Sequence, residues 1–142
     1  ERLGIDIIEA RAADGRVEIP DLVGCADRVL CDVPCSGFGV ISKKPELRYK
    51  DPKESERLPE IQRAILENAC KYVKRGGLLV YSTCTLLPEE NELAVKDFLS
   101  RHPEFELVPF TVGKVEAKEG YLTLFPHVHK TDGFFVAKLI RK

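Results

Sequence analysis

The chain has 142 residues, 44% of them apolar and 32% charged, and its 22 basic and 23 acidic side chains leave a formal net charge of -1. This is the composition of one globular domain; it excludes a disordered tail, a collagen-like repeat and a disulfide-dense scaffold. No apolar run approaches the roughly 20 residues of a bilayer span, and so even a balance of charge argues against holding nucleic acid by bulk electrostatics alone, while leaving room for a local basic face. The five cysteines are an odd number in a chain whose first residues lack a signal-peptide block, so free thiols in a soluble cytoplasmic protein are expected.

Taken in chain order, β-branched and apolar runs at residues 5–9, 28–32, 78–82, 105–108 and 134–140 predict strands. Asp51 ahead of Pro52, with Glu54 three positions after it, predicts a capped turn. Pro59 should restart a helix on which Leu58, Ile61, Ile65, Ala69, Tyr72 and Val73 recur every three or four positions and which stops at Arg75-Gly76-Gly77. A second helix is expected from Pro88 to just before Pro103, with Glu89 and Glu90 in its first turn favoured by the helix dipole. Strand alternating with helix is the α/β pattern. The near-continuous apolar run Leu78-Leu79-Val80-Tyr81 predicts a sheet covered on both faces, with ligands at the carboxyl ends of its strands.

Two of those strand ends carry cysteine. Residues 29–32 open into Val33-Pro34-Cys35-Ser36-Gly37-Phe38-Gly39, and residues 80–82 open into Thr83-Cys84-Thr85 ahead of Pro88-Glu89-Glu90-Asn91-Glu92. Cys25, Cys31 and Cys70 read as small core hydrophobes. Cys35 and Cys84, flanked by Pro, Ser, Thr and Gly, do not, and a helix following Cys84 could lower its thiol pKa.

These residues resemble the Sun/Fmu family of RNA (cytosine-5) methyltransferases, of the bacterial small-subunit rRNA type. The likeness rests on both cysteine motifs in this order with a helix between them. It extends through Lys43-Lys44-Pro45-Glu46, the Gln62 helix, Lys74 to Gly77, and Phe125-Pro126-His127 with Thr131-Asp132-Gly133-Phe134-Phe135. The resemblance implies a Rossmann-like class I methyltransferase sheet that uses S-adenosylmethionine and acts on rRNA. It implies that Cys84 is the nucleophile toward carbon 6 of cytosine, since a thiolate both attacks and leaves readily. Cys35 would resolve the adduct, Asp32 would interact with the base edge and the cofactor, and Asp14 would bind the adenine amine. Pro34 is placed at the substrate, in a site that takes an unpaired or flipped base.

Lys43, Lys44 and Arg48, with Lys50 and Lys53, form a basic cluster that reads either as a solvated loop or as a phosphate contact. His102, His127 and His129 do not combine with cysteines at zinc spacings, and Thr131-Asp132-Gly133 reads as a turn. Against the family pattern, the glycine loop and the first two strands are absent: residues 1–4 would end the helix before the third strand. The chain is then the C-terminal part of a catalytic domain, its own activity in doubt, with the first ~20 residues displaced, mobile or paired with another chain. A non-catalytic RNA-binding module, a tRNA cytosine-5 methyltransferase and a thiol oxidoreductase are the alternatives.

Overall fold

A computed structural model describes residues 4–142. In chain order the elements are β1 (Ala26–Asp32), α1 (Leu58–Tyr72), β2 (Val73–Thr83), α2 (Glu92–Arg101), β3 (Phe105–Leu107), β4 (Phe110–Val112), β5 (Val115–Ala117), β6 (Tyr121–Leu124), α3 (Pro126–His129) and β7 (Phe134–Arg141). They build a mixed α/β sheet in the order β1-β2-β7-β3, with β6 also pairing β7 and a separate β4-β5 hairpin. β1 and β2 run parallel and are joined through α1, whereas β7 is antiparallel to β2. No helix among the described residues is long and apolar enough to cross a membrane.

The register sets the core. Cys31, Tyr81 and Ala137 face one another across three strands, with Leu79 and Leu139 in the next row, and all five are buried. Leu66, Ala69 and Cys70 of α1 and Val95 and Phe98 of α2 pack into the same cluster, because their spacing of three and four lines one helical face. Phe98 stacks on His102 and meets Phe105 edge-on. His102 in turn bonds Glu67 of α1 at 2.7 Å, tying the end of α2 back to α1.

Both helices therefore lie on one face, and the expectation of a sheet covered on both faces is corrected. The opposite face carries Leu30, Val80 and Val136, and Leu30 is 70% exposed. The strand expected at 5–9 is also absent, with Ile7 and Ile8 exposed. A strand needs a hydrogen-bonding neighbour, and among the described residues β1, which ends the sheet, has none on its outer side. The expected helix end at residues 1–4 lies almost wholly outside the described residues.

Pro59 stands in the first turn of α1, and Asp51 caps the preceding turn by accepting from Lys53 N–H. The helix stops at Tyr72, earlier than Arg75-Gly76-Gly77 suggested. Residues 74–77 instead form an irregular entry to β2 in which Gly76 has a φ of +76°, a conformation that costs glycine little. A single 3-10 turn occupies Pro88–Glu90, so α2 starts only at Glu92. Three short strands, β4 to β6, were not foreseen.

Candidate active site

Asp32 and Ser82 are register partners at the ends of β1 and β2, so the loops leaving those strands run side by side. They bring the Cys35 and Cys84 Sγ atoms to 3.1 Å, and the Cys84 backbone N–H donates to Cys35 Sγ at 3.2 Å. Gly39 N–H donates to the Cys84 carbonyl at 3.0 Å, and Gly133 N–H to the Gly39 carbonyl at 2.7 Å. The segment read as a mere turn before β7 is thus stitched to the loop that holds Cys35. Close approach explains the glycines: a Cβ on Gly39 would overlap the Gly133 carbonyl.

Beneath the thiols lies a buried polar frame. Glu90, on the 3-10 turn before α2, accepts from Gln62 Nε2 at 2.6 Å and from Ser36 N–H at 3.0 Å. Gln62 Nε2 also donates to the Pro34 carbonyl at 2.9 Å. Ser36 and Thr85 hydroxyls share a hydrogen bond of 2.6 Å, and Tyr81 OH donates to the Glu90 carbonyl at 2.7 Å. Thr83 Oγ1 donates to Asn91 Oδ1, whose amide nitrogen donates to the Thr85 carbonyl. Glu90 is therefore a buried acceptor on the turn ahead of α2 rather than the first-turn dipole partner that its place in the sequence suggested.

Burial and the neighbouring Cys84 sulfur push the Cys35 thiol up to about 12, so it holds its proton at neutral pH. Cys31 and Cys70 are buried core thiols, raised mainly by burial to about 12 and about 11. Cys25 is exposed, which corrects its reading as a core residue.

Asp32 and Asp14 meet across a second feature, a cleft of about 250 Å³ beside β1 that Leu30, Ile65 and Tyr72 also line. Asp32 Oδ1 accepts from Ser82 Oγ at 2.8 Å, a partner that nothing in the sequence singled out. Asp14 accepts from the Arg16 guanidinium and backbone N–H, and the guanidinium hydrogen bond is the first cause holding its carboxyl down at about 2. Both acids stand at the rim of an apolar slot, where Asp32, and Asp14 once Arg16 shares it, can accept from an amine or hydroxyl, an acceptor set that fits an adenosine group. A larger cleft of about 440 Å³ between α1 and α2 is lined by neither Cys35 nor Cys84.

The basic cluster divides. Lys43 is paired with Asp132 at 2.5 Å, with Ser42 donating to the same carboxylate, so its charge is partly spent on closing the loop. Lys44 and Arg48 are exposed, and Lys50 reaches the Ser36 carbonyl at 3.5 Å, linking this loop to the cysteine site. Tyr49 between them is 90% exposed. An aromatic ring left in water beside cations was a signal in the sequence that the charge count alone passed over. Pro34 is exposed at the mouth of the site. Among the described residues, no group of three or more His, Cys, Asp or Glu side chains is arranged to hold a metal ion.

The sequence model of the family described as 16S rRNA methyltransferase RsmB/F matches residues 1–140. The chain is 43% identical over 150 residues to the probable ribosomal RNA small subunit methyltransferase B of Bacillus subtilis, covering all of this chain and 34% of that protein. It is 37% identical to the ribosomal RNA small subunit methyltransferase F of Erwinia tasmaniensis, covering 97% of this chain and 30% of the relative. The chain therefore spans about a third of the length of the curated relatives it matches. Among solved structures, PH0851 superposes with a TM-score of 0.90 at 40% identity, over 99% of this chain and 32% of that one. NSun6 from Pyrococcus horikoshii, solved with SFG, gives 0.81 at 38% identity, over 99% and 36%. With a family model matched over nearly its whole length and a fold shared with these structures, this chain belongs to the RsmB/F family of 16S rRNA methyltransferases.

Proposed function

We propose that the protein carrying this chain methylates carbon 5 of a cytosine in small-subunit rRNA, with Cys84 as the covalent nucleophile and Cys35 as the residue that resolves the adduct. The observation that carries this reading is the 3.1 Å apposition of the two sulfurs at the ends of neighbouring parallel strands. Carbon 5 of cytosine is a poor nucleophile. Addition of the Cys84 thiolate at carbon 6 turns the ring into an enamine-like carbon nucleophile; once carbon 5 carries the methyl group, its proton passes to solvent water while the carbon–sulfur bond breaks and its electron pair returns to Cys84, which restores aromaticity. S-adenosylmethionine, when bound, supplies the methyl group. Asp14 and Asp32 would hold it at the 250 Å³ cleft, with Ser82 fixing the Asp32 carboxylate. The first two strands and the glycine loop would come from the rest of the protein, and an rRNA substrate assigns the work to the cytoplasm.

Titrating S-adenosylmethionine into the full-length protein by calorimetry tests the cofactor half of the proposal. Asp32→Ala is expected to weaken binding at least about tenfold, the value of one charged hydrogen-bond partner. Equal affinity in the variant would remove Asp32 from the cofactor site.

RNA would enter over the loop that carries Lys44, Arg48 and Tyr49. Stacking of an unpaired base on an exposed ring typically contributes about 1–3 kcal/mol. Tyr49→Ala is therefore expected to weaken binding of an unpaired rRNA loop about tenfold, and Tyr49→Phe to leave it unchanged. Lys44→Ala with Arg48→Ala should lower the slope of log affinity against log salt by about 0.7 for each lost contact. An unaltered slope and an unaltered affinity in these variants, measured by fluorescence anisotropy, would move the RNA to another face.

The apposed sulfurs also raise thiol–disulfide exchange as a second reading. Such enzymes depend on a thiol whose pKa is lowered, and burial pushes Cys35 the other way.

A further inference from the structure

We infer that Glu90 and Gln62 form a positioning pair that clamps the peptide on either side of Cys35 and so holds its thiol against Cys84. The inference rests on the proposed reaction for its purpose, but its geometry stands on contacts that do not involve RNA or cofactor. Gln62 Nε2 donates to the carbonyl of Pro34, the residue before Cys35, and Glu90 Oε2 accepts from the N–H of Ser36, the residue after it. The same Gln62 nitrogen and the same Glu90 oxygen bond each other at 2.6 Å. Cys35 is thus bracketed through both of its chain neighbours by one continuous unit.

That unit is anchored independently on both sides of the site. Gln62 projects from α1 and is fully buried, Glu90 is 1% exposed, and Tyr81 in β2 fixes the Glu90 backbone carbonyl. The Ser36–Thr85 hydroxyl bond carries the constraint to the residue after Cys84.

The arrangement is polar throughout, which separates it from ordinary core packing. Glu90 Oε1 and Gln62 Oε1 are buried without a hydrogen-bond partner, and among the described residues no cation pairs with Glu90. A buried acid left partly unsatisfied is a poor stabiliser compared with an apolar pair of the same shape. What the pair provides is orientation. Misplacing a reacting group by about an ångström is enough to cost about a hundredfold in rate.

The test reads the two thiols directly in the full-length protein. Diamide, an azo oxidant, takes up the two electrons and two protons released as the Cys35 and Cys84 thiols join in a disulfide, and peptide mapping measures the rate. Gln62→Met keeps the length of the side chain and removes both donations. It is expected to slow crosslinking at least about tenfold, as the effective concentration of one sulfur at the other falls, while alkylation of Cys84 by iodoacetamide stays near wild type; the melting temperature, which the lost donations should lower, is measured so that the rates are compared where both proteins are folded. A folded Gln62→Met protein that crosslinks at the wild-type rate overturns the inference. Hydrogen exchange on the unaltered protein supplies a readout that needs no variant: the Ser36 amide should exchange at least about a hundredfold more slowly than an open loop amide, and rapid exchange there also overturns it. Neither readout requires methylation. A protein that never methylates cytosine yet shows both effects keeps the clamp and loses the proposed reaction, whereas normal catalysis with neither effect does the reverse.

Discussion

Cys84→Ala in the full-length protein is expected to lower methylation of an rRNA substrate by at least about 10⁴-fold, because in the proposed reaction its sulfur supplies the covalent step at carbon 6. Cys35→Ala is expected to fail differently. It should still attack, and a covalent protein–RNA species should build up in the presence of cofactor, visible as a mobility shift on a denaturing gel. The asymmetry follows from the surroundings of the two sulfurs. Burial first and then the adjacent sulfur push the Cys35 thiol up, outweighing the Cys84 N–H bond that favours its thiolate, so between pH 6 and pH 9 it stays protonated and is poorly suited to attack. By the same reasoning, no inflection in the rate profile over that range should belong to Cys35. Full activity in Cys84→Ala, or adduct accumulation in Cys84→Ala rather than in Cys35→Ala, would reverse the roles.

The cysteine site was legible in the sequence because its signals are local. Both thiols follow apolar strand runs and sit among Pro, Ser, Thr and Gly, and strands joined by a helix pair in parallel often enough that their carboxyl ends meet. The structure has β1 and β2 paired from Arg28 with Leu78 to Asp32 with Ser82, which makes the two loops neighbours. The frame beneath was not legible. An acid just ahead of a helix reads as a dipole partner, and only the packing of α1 against the turn before α2 reveals that Glu90 faces Gln62, 28 positions away, and Ser36, 54 positions away.

The tie between Gly133 and Gly39 was not legible for the same reason, since it is a backbone contact between segments far apart in the chain. Residues 5–9 have the composition of a strand and no partner on the outer edge of β1, and propensity without a partner leaves a chain unpaired. Strands β4 to β6 are three or four residues each, too short for alternation to stand out. Asp32 was legible as an acid closing an apolar run, whereas Asp14 reads by itself as a turn residue and was reached only through the family resemblance. Their shared cleft was not legible, because it depends on Tyr72 and Ile65 of α1 closing its floor.

Gly39→Ala should be the most damaging single methyl added to this chain. An alanine Cβ would overlap the Gly133 carbonyl oxygen and lie 2.7 Å from the Gly133 carbonyl carbon and 2.8 Å from the Cys84 carbonyl oxygen. All three are backbone atoms, so no side chain can rotate away, and relief requires the two segments to separate. Separation breaks the Gly39 N–H bond to the Cys84 carbonyl and the Gly133 N–H bond to Gly39, the contacts that hold both sides of the thiol pair. Overpacking of this kind with loss of buried hydrogen bonds is expected to cost about 2–4 kcal/mol in urea unfolding. Displacing the Cys84 carbonyl should also reduce methylation about a hundredfold, beyond what the fraction unfolded explains. Gly113→Ala is the control: its φ is +58°, nothing lies within 4 Å of an added Cβ, and the left-handed backbone alone costs about 1–2 kcal/mol, with activity expected to be unchanged. A Gly39→Ala protein as stable and as active as wild type would mean that the Gly39–Gly133 contact does not hold the site together. Equal losses in both variants would trace the effect to glycine conformation instead of to the approach of the Cys84 loop.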